Sequence, residues 1–298
     1  MPNTWRKIAN SIPMRIFVGL TFFISGLFIN IIQAILFMTL AYFNVELYRK
    51  INYYLTYTIW AQIVAMSDWW AGAQVNYYFA DERSRKFMGT RHSMFVMNHN
   101  YEIDWLVSWL ITDRYHMLGG AKSFAKKPLR WIPIMGWSWV FNEFAFLERN
   151  WNKDSHKIAT ALNKFLDYKN PISFLFFAEG TRFTQSKHEA SVKFANERGL
   201  PVLKYHLVPR TKGFNFCVKT FKEKYPDMLI CQIELRFPKD SDPPTFMTLV
   251  KGKTLKPDIY IKFVTLHEIP SETEEQMSNY LFKMYKEKVS FNAFIAFY

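Results

Sequence analysis

Residues 16–43 form an almost unbroken apolar run with no charged side chain. As a helix this stretch would be about 42 Å long, against a hydrocarbon core of about 30 Å. It is too long for a signal-peptide core and lacks a small-x-small cleavage site, so it is expected to stay in the mature chain. Asn30 and Gln33 lie in its middle. Amides facing lipid are costly, so both are expected to face a second helix. Residues 53–79, aromatic-rich with Asp68 as the only charge, are the candidate for that helix. The expectation is a two-helix anchor in or on one leaflet. Arg6, Lys7 and Arg15 precede the apolar stretch and Arg49 and Lys50 follow it. That bias is too even to orient it.

From about residue 81 the pattern turns globular, with short apolar runs alternating with polar helical periods. Strands are predicted over 93–97, 144–147, 172–178, 202–207, 229–237 and 260–266. Helices are predicted over 104–112, 155–168, 187–197 and 271–288. The last opens on Ser271-Glu272-Thr273-Glu274, a capping-box pattern. Such alternation argues for an α/β domain over 81–298 behind an anchor segment over 1–80. No internal repeat or low-complexity tract interrupts it.

Charge adds a constraint on partners. The 298 residues carry a formal net charge of +13, which suits an acidic membrane, a polyphosphate substrate or nucleic acid. Aromatics make up 18% of the chain, and Trp69, Trp70, Tyr77 and Tyr78 cluster near the apolar N-terminal part, as in proteins seated at a bilayer interface. Cys217 and Cys231 have neither CxxC nor metal spacing and read as core thiols. His92, His116, His156, His188, His206 and His267 form no spaced metal set. The chain has no Asn-x-Ser/Thr acceptor.

The chemistry concentrates in short motifs. In Asn98-His99-Asn100-Tyr101-Glu102-Ile103-Asp104, His99 and Asp104 are five positions apart. On one helix they would diverge by about 140°. They meet if His99 occupies a turn after the strand Met94-Phe95-Val96-Met97 and Asp104 opens the following helix. A carboxylate on one ring nitrogen would fix the tautomer and leave the other nitrogen to take a proton from a hydroxyl. Asp104 could equally be a simple helix N-terminal acid. Glu179-Gly180-Thr181-Arg182 follows the buried-type run Phe174-Leu175-Phe176-Phe177-Ala178. Ligands of α/β sheets bind beyond strand carboxyl ends. There Gly180 permits close backbone approach and Arg182 can fork onto phosphate. The bland alternative is a turn with a surface ion pair. Arg149 ends another apolar segment and is a second candidate phosphate ligand or a solvated strand-end residue. Val208-Pro209-Arg210-Thr211-Lys212-Gly213-Phe214 reads as a basic turn at a pocket mouth. Lys122, Lys126, Lys127 and Arg130 form a basic cluster suited to polyphosphate, lipid headgroups or plain solvent.

Together these motifs resemble the glycerolipid acyltransferases with an H-x4-D signature. The likeness is strongest to the eukaryotic 1-acylglycerol-3-phosphate acyltransferases of the gamma, delta and epsilon types and the related lysocardiolipin acyltransferases. It is carried by the His99–Asp104 motif, by Gly136-Trp137-Ser138-Trp139 leading to Arg149, by Glu179-Gly180-Thr181-Arg182-Phe183-Thr184 and by Leu203 through Phe214. The resemblance implies an α/β fold with a mixed sheet flanked by helices, and a catalytic domain over 81–298. It implies that His99 deprotonates the sn-2 hydroxyl of a lysophospholipid, lysophosphatidate first among them, for attack on the thioester of acyl-CoA. Asp104 orients His99. Arg149, Glu179, Gly180, Thr181 and Arg182 form the acceptor's phosphate site. Pro209, Lys122 and Lys127 belong to the acyl and CoA region. The implied partners are acyl-CoA, the lysophospholipid and the bilayer, in the endoplasmic reticulum membrane or, alternatively, a mitochondrial or other endomembrane. Acyl-CoA is a substrate, and no cofactor, metal or covalent acyl-enzyme is expected. Relatives often continue into further apolar segments, whereas residues 291–298 are too few to span. A nucleic-acid-binding protein would share the charge but has no motif here. A non-catalytic lipid-binding protein is the stronger rival, and a metal-dependent hydrolase would need more ligands.

Overall fold

The computed structural model describes residues 11–148 and 150–295. In chain order the first helices are α1 (Ile12–Met38), α2 (Leu40–Phe43), α3 (Val45–Ala65) and α4 (Glu82–Phe87). They are followed by α5 (Asp104–Arg114), α6 (Met135–Phe141), α7 (Trp151–Leu166) and α8 (Gln185–Glu197). The last are α9 (Thr211–Lys224), α10 (Phe246–Val250) and α11 (Glu274–Ile295). The strands are β1 (Asn76–Phe79), β2 (Ser93–Met97), β3 (Ala121–Lys126), β4 (Ala145–Leu147), β5 (Ser173–Phe176), β6 (Leu229–Arg236) and β7 (Asp258–Thr265). Seven strands with intervening helices make the α/β class that the alternation predicts.

The chain divides into two compact units. One comprises Met1–Gln74, Leu106–Phe174 and Ser241–Leu255, and the other Val75–Trp105, Leu175–Asp240 and Lys256–Tyr298. In the first unit, here called the helical unit, β3 and β4 pair parallel, Phe124 opposite Ala145. Here α1 packs on α3 through polar contacts. Ser25 donates to Gln62 Oε1 at 3.0 Å, and Gln33 Nε2 donates to Asn52 Oδ1 at 2.8 Å. Asn30 in turn donates to Gln33 Oε1 at 2.9 Å. Gln33 thus finds its partner on a second helix, as the cost of an amide in an apolar setting demands, and Asn30 is held by Gln33 of its own helix. The run Ile12–Phe43 is long and apolar enough to cross a membrane, and it is the one such helix among the described residues. The expected second anchor helix over 53–79 is corrected. Its helical part belongs to α3 and the π-helical turn Met66–Trp70 that follows it; α3 begins at Val45, carries Glu46, Arg49 and Lys50, and buries Tyr48, Asn52, Thr56 and Trp60. Residues 76–79 leave the helix to form β1.

The second unit, the catalytic-motif unit, has the sheet order β1-β7-β6-β2-β5. β2 pairs parallel with β6, Ser93 opposite Leu229, and β6 pairs antiparallel with β7, Leu229 opposite Thr265. The sheet is therefore mixed. All five residues of β2 and all four of β5 are buried, which explains their continuous rather than alternating apolar patterns. α9 buries Phe214, Cys217, Val218 and Phe221, spaced as one face of a helix. Reading Pro209 and Gly213 as turn formers hides this helix. Gly213 instead sits inside it, where a Cβ would come within 3.3 Å of the Phe176 ring. The predicted strand over 202–207 does not form. Two of its main-chain groups go to side chains: Leu207 N–H donates to Glu179 Oε2 at 3.1 Å, and Leu203 O accepts from His188 Nε2 at 2.7 Å. A backbone satisfied that way has no need of a ladder.

Candidate active site

The site begins where β2 ends. Asn98 fastens this point to β6: its Nδ2 donates to Leu235 O at 2.9 Å and its Oδ1 accepts from Leu235 N–H at 2.7 Å. His99 follows in the turn, held on both sides of its peptide. Its N–H donates to Glu179 Oε1 at 3.0 Å, and its carbonyl accepts from Phe183 N–H at 2.7 Å. The imidazole stacks on Phe177 with ring centres 4.1 Å apart. Asp104 opens α5. Its Oδ2 lies 2.9 Å from His99 Nδ1 and accepts from Tyr101 N–H at 3.0 Å. The side chain of Asp104 is 1% exposed and that of His99 20%. A buried carboxylate thus meets an imidazole that solvent and ligands can reach. Burial raises the Asp104 pKa above the usual carboxylate value, and the His99 contact opposes that rise. With Nδ1 turned to Asp104, Nε2 is the nitrogen directed away from the carboxylate.

Glu179 stands three residues past β5 with both oxygens engaged, Oε1 on His99 N–H and Oε2 on Leu207 N–H. The residue is 2% exposed. Burial pushes its pKa up to about 7, while the two N–H donors and the Lys288 ammonium pull it down. The motif thus divides. Glu179 points inward, and the residues after it turn outward. Gly180 takes φ +69°, the left-handed region that glycine enters at no steric cost. A Cβ there would come within 3.1 Å of Arg210 Cδ and Nε, so the Arg210 side chain lies across this glycine. Arg210 N–H donates to Ala178 O at 2.8 Å, and the side chain is exposed. Arg182 is exposed too, and Thr181 Oγ1 accepts from Lys187 Nζ at 2.8 Å. Lys187 Nζ also donates to Arg182 O at 3.0 Å. Arg182, Lys187 and Arg210 therefore surround the Gly180–Thr181 turn with positive charge. The sequence reading has Arg182 but assigns no role to Lys187 and leaves Arg210 in a basic loop. Pro209 is buried beside Arg210.

The other candidates fall elsewhere. Arg149 lies outside the described residues. Lys122, in the helical unit, is 1% exposed and donates to Asn142 O at 2.7 Å and Oδ1 at 2.6 Å. Its ammonium also sits 4.0 Å from the Tyr168 ring centre. Burial drives its pKa well below the usual lysine value, against the pull of Glu143. Lys127 is exposed and pairs with Glu148 at 3.0 Å. The structure does not bring Lys122 and Lys127 onto one basic surface. Phe177, Asn98 and the Leu207 N–H are site residues that sequence reasoning misses. Only Asn98 leaves a signal, as an amide at the end of a run that is otherwise buried and apolar. Among the described residues no group of three or more His, Cys, Asp or Glu side chains is placed to hold a metal ion.

An accessible imidazole on a buried carboxylate, set at the carboxyl end of a strand beside a basic turn, is an arrangement with the chemical means to accept a proton next to a surface that attracts anions. Comparison with known proteins gives this arrangement a family. The Acyltransferase family model matches residues 77–228. Over 271 residues, 91% of this chain and 70% of the relative, the chain is 40% identical to human 1-acyl-sn-glycerol-3-phosphate acyltransferase delta. It is 36% identical to the human gamma enzyme over 277 residues, 92% of this chain and 72% of the relative. It is 37% identical to the delta enzyme of Rattus norvegicus over 270 residues. The chain belongs to the acyltransferase family.

Proposed function

We propose that this protein transfers a fatty acyl group from acyl-CoA to the sn-2 hydroxyl of 1-acylglycerol-3-phosphate, giving phosphatidate, at the endoplasmic reticulum membrane. The observation that carries the chemistry is the His99–Asp104 pair at 2.9 Å. The names of the delta and gamma relatives support the acceptor, and the apolar run Ile12–Phe43 supports a membrane setting.

In this mechanism His99 Nε2 takes the proton of the acceptor hydroxyl as its oxygen bonds to the thioester carbonyl carbon. Asp104 stabilises the imidazolium that forms. The tetrahedral intermediate collapses with loss of the CoA thiolate, and the proton on Nε2 neutralises it. One ester bond forms and one thioester bond breaks, with no enzyme-bound acyl group. Arg182 binds the acceptor phosphate at the Gly180–Thr181 turn, where a guanidinium fork gives charge-assisted contacts. Pro209 is assigned to the acyl-CoA side.

The deciding experiment measures CoA release by the purified protein in liposomes with oleoyl-CoA and a panel of lysophospholipids. Release that requires lysophosphatidate and His99 is expected. Release with another lysophospholipid alone would keep the chemistry and replace the acceptor. Folded protein that releases no CoA with any acceptor would overturn the assignment.

A further inference from the structure

The carboxylate of Glu179 follows a strand in the manner of a ligand-binding residue, yet its geometry turns it toward the protein's own backbone. Its two oxygens join the N–H of His99 to the N–H of Leu207, residues that belong to different segments of the catalytic-motif unit. Two donors and near-complete burial leave this carboxylate poorly placed to meet a phosphate, which it would also repel. Lys288 of α11 lies in the same buried region. Its Nζ donates to Val96 O at 3.1 Å and to Ile233 O at 2.6 Å, tying β2 to β6 three residues before His99. It stands 3.8 Å from Glu234 Oε2, and Glu234 Oε1 stands 3.3 Å from His206 Nε2. His206 directly precedes Leu207, whose N–H holds Glu179. Lys288 is 4% exposed; burial lowers its pKa against the pull of Glu234 and Glu179, and its ammonium favours the ionised form of Glu179.

We propose that Glu179 and Lys288 are positioning residues for the acyl-transfer reaction, two buried polar side chains that hold the peptide of His99 in register with Asp104 and contact no substrate. This rests on the acyl-transfer reading above. Its physical content is that the base must be held to a fraction of an ångström. A displacement of about 1 Å costs up to ~10²-fold in rate. Two strand-to-turn fastenings serve that end, Asn98 on Leu235 and Lys288 on Val96 and Ile233, and Glu179 adds a third at the reacting residue itself. Through Lys288, α11 then contributes to catalysis without touching substrate.

The test uses the full chain in detergent. Glu179→Gln keeps the size but replaces one acceptor oxygen by a donor, so one of the two N–H groups is left facing an NH2. Lys288→Met keeps the stem and removes the charge. For both, kcat is expected to fall ~10- to 10²-fold, with KM for lysophosphatidate within about twofold of wild type. A raised acceptor KM with kcat intact would overturn the proposal by making Glu179 a substrate ligand. So would unchanged kinetics in either variant. A second measurement needs no variant. Hydrogen exchange on the wild-type protein should show slow exchange of the His99 and Leu207 amides, although neither lies in a strand or helix. Exchange at free-loop rates would overturn the brace even if the variants failed to fold. If the wild type transferred no acyl group, the functional reading would fail while the exchange result still decided the brace.

Discussion

Each of the two compact units buries a lysine, and the pair differ in what the buried charge secures. Lys122 in the helical unit is wrapped by one neutral residue, Asn142, through its carbonyl and its amide oxygen, with the Tyr168 face above it. The nearby Glu143 is spent on Arg49 at 2.8 Å and accepts from the Tyr168 hydroxyl at 2.8 Å. This is a closed knot joining β3 to the residue after α6. Lys288 in the catalytic-motif unit bonds two strand carbonyls a few residues before the proposed base and faces Glu234. The same residue type, equally inaccessible, supports packing in one region and geometry for chemistry in the other. A buried lysine is thus interpretable only through the elements its ammonium connects.

The contrast can be broken in five ways, from the largest expected effect to the smallest. His99→Ala should lower kcat by about 10² or more with an unchanged melting temperature, because it removes the base but little packing. A folded, fully active variant would end the mechanism. Arg182→Ala should raise the acceptor KM by ~10- to 10²-fold, the worth of a charge-assisted contact of about 1.5–3 kcal/mol, and leave the melt alone. Equal loss with acceptors that lack a phosphate would remove Arg182 from that site. Glu179 should leave a mark on stability against pH. Its folded pKa of about 7 lies above the unfolded value of 4.5. The contribution is therefore full below about pH 4.5 and is lost as pH rises through about 7, at up to about 1.4 kcal/mol per pH unit. Wild type should thus lose melting temperature against Glu179→Gln between pH 5 and 7.5, and parallel curves would contradict the raised pKa. Lys122→Met should cost about 1–3 kcal/mol in denaturant unfolding by orphaning the Asn142 oxygens, without changing KM for acyl-CoA. A selective rise in that KM would restore Lys122 to the anion-binding role the sequence suggests. Lys127→Gln should leave the melt unmoved, since exposed pairs contribute little. Any effect should fall on KM for acyl-CoA, and its absence would confine Lys127 to its surface pair with Glu148.

The sequence by itself determined the elements whose periodicity is local. The charge-free run at 16–43, the strand–turn–helix around His99 and Asp104, and the continuous apolar strand before Glu179 were all legible, because each depends on neighbours within a few residues. The likeness of four ordered motifs to acyltransferases was legible for the same reason. Tertiary structure decided what each polar residue touches. Glu179 looks like a ligand beside Gly180 and Arg182, and only the approach of His99 and Leu207, 80 and 28 residues away in sequence, turns it inward. The segment 202–207 has strand composition but gives backbone groups to the side chains of Glu179 and His188 instead of a ladder. Lys122 sits among Lys126, Lys127 and Arg130 in sequence, yet its place at the buried start of β3 and the arrival of Asn142 enclose it. Local spacing specifies backbone conformation. The partner of a buried charge is chosen by distant segments, whose approach is driven by apolar burial that no short motif records.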